Sequence, residues 1–224
     1  MIILKTSKII RSSRKSIALE IQSNGNLIIR APLHTSKSFI EKLIIEKQQW
    51  IIQKQKITHD RQSEIAPRQY IPGEDFYYLG KKYKLDIVDK PSVSINFNNG
   101  FKVSEEHKGN IKNLINLWYK KQAKKIIPQC ATQIADSHNL SFSNIKITSA
   151  EGRWGSCTGR RGLNFPWRII MLPPDIIEYI IIHELAHLKE MNHSKNFWLE
   201  VEQMLPSYYK SKKWLKINSY KFKT

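Results

Sequence analysis

Residues 173–187 constrain the fold of this chain more than any other stretch. Ile176-Ile177-Glu178-Tyr179-Ile180-Ile181-Ile182 is apolar on nearly every side, so a helix built from it has no face for water and belongs in a core. Pro173-Pro174-Asp175 starts that helix, with proline fixing φ in the first turn and an acid near the positive end of the helix dipole. Directly after the apolar run comes His183-Glu184-Leu185-Ala186-His187, and His193 follows six residues later. A carboxylate carried into a buried helix between two imidazoles needs a partner, because an unpaired buried charge is very costly. A metal ion partners all of them at once.

The spacing has a geometric reason. A helix advances about 100° per residue, so His183 and His187 fall on one face and can direct both imidazoles at one ion. Glu184 then sits beside the ion without ligating it. A catalytic zinc keeps three protein ligands and one open position, where water is acidified to a pKa of about 7 and a carboxylate base can take its proton. This is the pattern of a zinc-dependent hydrolase, with Glu184 as general base. The third ligand has to come from beyond the helix. His193 is the first choice, brought back by a left-handed, helix-ending turn expected at Asn192. Glu200 or Glu202 is the alternative, since some zinc hydrolases use a carboxylate there.

The 224 residues, 41% of them apolar, suffice for a real core. Cys130 and Cys157 are too few for a disulfide scaffold and are not spaced as a metal knuckle, which fits a reducing, cytoplasmic setting. The apolar start Met1-Ile2-Ile3-Leu4 is too short for a signal peptide, and no membrane partner is expected. The net charge of +18, from 37 Lys and Arg against 19 acids, favours an anionic substrate or partner. Lys120, Lys121, Lys124 and Lys125 repeat at helical spacing, and Lys210, Lys212, Lys213, Lys216, Lys221 and Lys223 interleave with Tyr208, Tyr209, Trp214 and Tyr220. Such a pattern can bind nucleic acid; the plainer reading is solvated lysines on helices whose aromatics pack on the body.

Along the chain, Ile17–Gln22 and Leu27–Ala31 read as a hairpin turning at Asn24-Gly25. One helix is expected from Ser36 to Ile57 through Phe39, Ile40, Leu43, Ile44, Trp50 and Ile51, followed by a connector over 58–69. Residues 70–103 read as strands with turns at Gly80-Lys81 and Asn99-Gly100. A helix over 110–140, using Leu114, Leu117, Trp118 and Ile126, should kink or restart at Pro128. Strands over Ser143–Ala150 and Gly162–Met171 flank a loop holding Arg153-Trp154-Gly155-Ser156-Cys157. The expected division is a strand-rich N-terminal region with one helix over 1–105 and a metal-dependent hydrolase domain over 106–224. The fold class is α+β, with the His183 helix beside a small sheet.

Arg153 and Ser156 are candidates to line the cleft and hold an anionic group or developing oxyanion, against a plainer reading as a tight turn plugged by Trp154 and Cys157. No histidine neighbours Cys157 in sequence, so a nucleophilic role for it is not expected.

Together these residues carry a family resemblance. Arg153 to Cys157, Trp167-Arg168, Pro173-Pro174, His183 to Leu188, Asn192-His193-Ser194 and Phe197-Trp198 resemble the YgjP-like metallopeptidase domain family closely over 150–200, and Arg30-Ala31-Pro32 and Tyr78-Leu79-Gly80 do so more loosely. SprT-like and WLM peptidases are more distant relatives that share the zinc helix. The resemblance implies a zincin-like fold, one zinc held by His183, His187 and His193, Glu184 as catalytic base, and a peptide or protein substrate. Pro166 departs from the family pattern, in which Asn precedes Trp167; it removes a backbone donor from a strand against which a substrate could pair. Two other readings of the motif and charge stay open: hydrolysis of a nucleoside triphosphate's phosphoanhydride, with Arg153 facing the polyanion, and a protease that acts near bound nucleic acid.

Overall fold

The computed structural model describes residues 6–22, 24–63, 67–89 and 94–222. Residues 1–5, read above for a leader, part of the expected connector (64–66) and Lys223 lie outside the described residues. The chain divides into two compact units, up to Pro67 and from Arg68 onward.

In the first unit, β1 (Thr6–Ser12) runs parallel to β3 (Leu27–Pro32), and β2 (Ala18–Ile21) pairs antiparallel to β3's other edge. Period-two alternation turns Leu27, Ile29 and Ala31 into a core with Ile40 and Ile51, while Arg30 reaches Glu20 on the outer face at 3.0 Å. The single helix expected over 36–57 is two: α1 (Lys37–Glu46), capped by the Ser36 hydroxyl, and α2 (Gln48–Ser63), which runs into the expected connector. The break is at Lys47 (φ −95°, ψ 9°). It leaves Ile40 and Ile51 buried but Phe39 56% exposed, although both Phe39 and Ile40 fit the expected apolar periodicity.

The second unit begins with β4 (Asp75–Tyr78), β5 (Lys81–Val88), β6 (Ile95–Phe97) and β7 (Phe101–Ser104), ordered β4-β5-β7-β6. Phe76, Leu85, Phe101 and Val103 of this sheet share one buried cluster with the His183 helix. Residues 68–104 therefore belong with the second unit, and the division falls after Pro67 rather than at residue 105. The turn at Asn99-Gly100 closes its hairpin where expected, while the one expected at Gly80-Lys81 forms one residue earlier, at Leu79-Gly80, with φ of 47°, 79° and 52° at Leu79, Gly80 and Asn99.

Helix α3 (Ile111–Ser137) passes through Pro128 without a break, so of the kink or restart expected there the restart does not occur. Its buried residues are Ile111, Ile115, Tyr119, Ala123, Ile127, Ala131 and Ala135, every fourth position. Such a stripe drifts by about 40° per step around a regular helix, so its ends face different neighbours. These are β6, the 3₁₀ turn Trp167–Met171, α4 and β8. Leu117, expected in the core, is 60% exposed because it lies off that stripe.

The second sheet of this unit is β8 (Asn144–Thr148), β10 (Gly162–Pro166) and β9 (Ser156–Cys157), in the order β8-β10-β9. The expected strand 162–171 stops at Pro166, and Trp167–Met171 curls into the 3₁₀ turn. Pro166 is the last residue of the central strand, paired with Thr148, so its missing donor falls where the ladder ends anyway. The chain then enters α4 (Pro174–Ala186), which is followed by α5 (Lys195–Met204) and α6 (Tyr208–Asn218). The expected architecture, an α+β fold with the motif helix beside a small sheet, is what forms.

Candidate metal centre

The start of α4 is fixed from outside the helix. The Leu79 and Gly80 N–H groups donate to the Ile170 and Met171 carbonyls at 2.9 and 3.1 Å, clamping the β4–β5 turn to the chain just before Pro173. A β-carbon on Gly80 would stand 2.8 Å from Pro173 Cα, so only glycine allows this approach. From there Ile176, Ile177, Ile180, Ile181 and Ile182 are all buried, as an all-round apolar helix requires.

His183 lies in the last turn of α4, and His187 follows its end in helical conformation (φ −65°, ψ −15°). Asn192 does not adopt the expected left-handed conformation; the chain returns through an Asx turn, in which the Asn192 side-chain oxygen accepts the Ser194 N–H at 3.0 Å. Ser194 then caps α5 by accepting the Phe197 N–H at 3.3 Å. These two short-range bonds hold His193 toward the other histidines. One ligating nitrogen from each of His183, His187 and His193 lies within 4.8 Å of the others, and among the described residues no other such group of His, Cys, Asp or Glu occurs. Of the alternative third ligands, neither Glu200 nor Glu202 joins this group, and Glu200 accepts from the Lys189 ammonium at 2.7 Å.

This donor set fits a divalent cation such as zinc. His187 Nδ1 stands 3.0 Å from the Glu190 carbonyl, which fixes the tautomer with Nε2 free to ligate. His183 and His193 bring their Nε2 atoms to 3.0 Å, and His183 Nδ1 is buried without a hydrogen-bond partner. Burial, then the neighbouring His187, His193 and Lys212, lowers the His183 pKa to about 3; burial, then His187 and Lys212, lowers that of His193. Both rings are held neutral, the state a metal requires.

Phe197, fully buried, floors the cluster with its ring centre 4.9, 4.5 and 4.7 Å from those of His183, His187 and His193. Trp198 stacks on His193, Tyr208 stacks on Trp198, and the Lys212 ammonium lies 3.4 Å from the Trp198 ring centre. Tyr208 and Trp214, read above as possible nucleic-acid platforms, thus pack on the body, Trp214 against Phe222. Phe197 and Trp198 stood in the sequence only as parts of a family pattern; their aromatic i, i+1 placement after a capped turn was the signal for a floor and a wall.

Glu184 is 5% exposed. Burial raises its carboxyl pKa to about 7, while the Cys157 backbone N–H bonded to it and the charge of Arg153 pull the other way. Gly155 makes room for it, since a β-carbon there would lie 2.5 Å from Glu184 Oε1. Arg153 is exposed, with its charge felt at Glu184. Ser156 is turned elsewhere: its hydroxyl accepts from Asn164 Nδ2 at 3.3 Å across the β9–β10 pair. The Cys157 thiol is pushed up, by burial first and by Glu184 second, which suits an unreactive residue. Arg168 braces this loop, donating to the Ser149 carbonyl at 3.3 Å and to Glu151 at 3.1 Å while lying over Trp167. Beside His183 and Glu184 opens a cavity of about 220 Å³, lined by Trp154, Gly155, Tyr179, Ile180 and Leu215. No helix among the described residues is long and apolar enough to cross a membrane.

A family model described as YgjP-like, metallopeptidase domain, matches residues 15–218. No curated protein matches the chain. Among solved structures, the metallopeptidase zymogen of Pyrococcus abyssi abylysin is 22% identical, with a TM-score of 0.38 over 42% of this chain and 93% of that one. The metallopeptidase zymogen of Methanocaldococcus jannaschii jannalysin is 26% identical, with a TM-score of 0.37 over 42% of this chain and 94% of that one.

Proposed function

Because this chain belongs to the YgjP-like metallopeptidase domain family, we propose that it is a zinc-dependent peptidase whose ion is held by His183, His187 and His193 and whose general base is Glu184. The observation that carries this reading is the convergence of three imidazoles beside one buried carboxyl that is not part of their cluster. Three neutral ligands leave the full charge of a divalent cation uncompensated, which favours Lewis acidity. An ion so held supplies polarisation of the peptide carbonyl and acidification of water.

The chain's own residues do the rest. Glu184, oriented by the Cys157 N–H and pressed by Gly155, accepts the proton of the attacking water and delivers it to the departing amine. A carboxyl raised toward neutrality suits both halves of that transfer. The Glu190 carbonyl keeps His187 in one tautomer. Arg153, exposed beside Glu184, holds an anionic group of the substrate, and Ser156 serves by fixing β9 to Asn164.

Family membership favours the peptide bond over a phosphoanhydride. The test is zinc content and turnover of the purified chain and of Glu184→Gln, on unfolded protein and on nucleoside triphosphates. One zinc per chain in both, with peptide hydrolysis only in the wild type, is the expected result; phosphate release abolished by the same substitution would move the assignment to the phosphoanhydride.

A further inference from the structure

We propose that the cavity walled by Trp154, Tyr179, Ile180 and Leu215 is a specificity pocket that takes one apolar side chain, leucine-sized to phenylalanine-sized, from a residue flanking the scissile bond. This rests on the peptidase reading and names the substrate class for it.

Position comes first. The same cavity is bordered by His183 and Glu184, so a side chain in it belongs to a residue next to the bond under attack. Its walls come from separate parts of the fold: Trp154 and Gly155 from the loop before β9, Tyr179 and Ile180 from α4, and Leu215 from α6. All three parts are fixed independently of any ligand. Arg168 ties down the loop at Ser149 and Glu151, α4 is buried along its length, and α6 is anchored through Tyr208 on Trp198 and Trp214 on Phe222. The pocket is preformed, so filling it costs little ordering.

Size comes next. A cavity of about 220 Å³ falls below the range of about 300–1,000 Å³ typical of pockets for whole small molecules. It exceeds the roughly 150 Å³ that accommodates benzene in an apolar protein cavity. It therefore suits a single side chain. Chemistry completes the case. No Lys or Arg lines it, so an acidic side chain finds no cationic side chain in its walls and faces the Glu184 carboxylate, and a basic one is stripped of water with its nearest counter-charge engaged in proton transfer. An aliphatic or aromatic side chain loses only its contact with water.

Two measurements on the full-length, zinc-loaded chain test this. In the first, a peptide mixture randomised around a fixed frame is digested and the cut sites are read by mass spectrometry. Leu, Met, Phe or Tyr should occupy one position beside the cut, favoured over Ala by about tenfold to a hundredfold in kcat/KM. Leu215→Trp, which fills the cavity, should erase that preference, and Leu215→Ala should shift it toward larger rings. In the second, the Ile180 and Leu215 methyl signals are followed by NMR during titration with N-acetyl-phenylalanine amide and N-acetyl-alanine amide. Only the former should shift them. Cut sites without apolar enrichment, a preference for Lys or Asp, or methyls that ignore the phenylalanine amide would each overturn the pocket. Methyls that shift in a chain that cuts no peptide would instead keep the pocket and sink the peptidase reading.

Discussion

Gly155 and Glu184 are in contact so close that a side chain at 155 fits only if Glu184 moves: a β-carbon would stand 2.5 Å from Glu184 Oε1 and 2.6 Å from its Cγ. The glycine of the Arg-Trp-Gly-Ser-Cys loop therefore sets where the Glu184 carboxyl lies. Gly155→Ala should displace the Glu184 carboxyl while leaving the histidines and their zinc in place. Because misplacing a reacting group by about 1 Å can cost a hundredfold, kcat should drop on the order of a hundredfold with zinc content unchanged. Loss of zinc in this variant would show that Gly155 serves the metal site.

Glu184 also makes the metal-free protein sensitive to pH. Its carboxyl titrates at about 7 when folded, against 4.5 for the solvent-exposed group of an unfolded chain, chiefly because burial disfavours the charge. The folded state thus binds the extra proton between those values, so the stability it loses to this group is fully lost above about pH 7 and regained as pH falls toward 4.5. Metal-free Glu184→Gln carries no such charge. It should exceed the wild type in unfolding free energy at pH 8, by up to about 3 kcal/mol from the size of the shift, and the gap should close on acidification. The histidines are the same in both proteins and cancel in the comparison. Urea melts at pH 8 and pH 5 measure the gap, and a gap independent of pH would contradict the assignment.

The third ligand separates cleanly by mutation. His193→Ala should weaken zinc binding by more than the roughly tenfold to hundredfold typical of losing an outer-shell partner. Glu200→Ala removes a partly exposed pair with Lys189, worth about 0–1 kcal/mol, and should leave zinc affinity within a few-fold of wild type. Competition with a chelating dye gives both constants, and the opposite ranking would transfer the ligand role to Glu200.

Phe197 links stability to the metal. Its ring is fully buried and touches all three histidines, so Phe197→Ala should cost about 3–5 kcal/mol and let the imidazoles drift. Thermal melts with and without zinc should show both a lower Tm and a smaller zinc-induced rise than in the wild type. An unchanged rise would make the phenylalanine a packing residue only.

Sequence periodicity and motif spacing made the centre of this molecule legible. An all-round apolar run can only be a buried helix, and imidazoles four residues apart on it can only share a face, so α4, His183, Glu184 and His187 could be placed from local rules alone. The β6–β7 turn was legible from Asn99-Gly100, since asparagine and glycine tolerate positive φ, and Gly80 marked the β4–β5 turn to within one residue. What local rules could not reach is where nonlocal contacts overrode them. Helix α3 crosses Pro128 because its face is buried along its whole length, the β10 strand ends at Pro166 because a 3₁₀ turn docks Trp167 against Tyr119, and residues 68–104 join the second unit because their sheet shares its core. The amino-acid sequence by itself determined which groups are chemically able to hold a metal and move a proton. Only the tertiary structure decided that Gly155 presses on Glu184, that Phe197 lies beneath all three histidines and that a cavity opens beside them, because each depends on residues distant in the chain meeting at atomic distances.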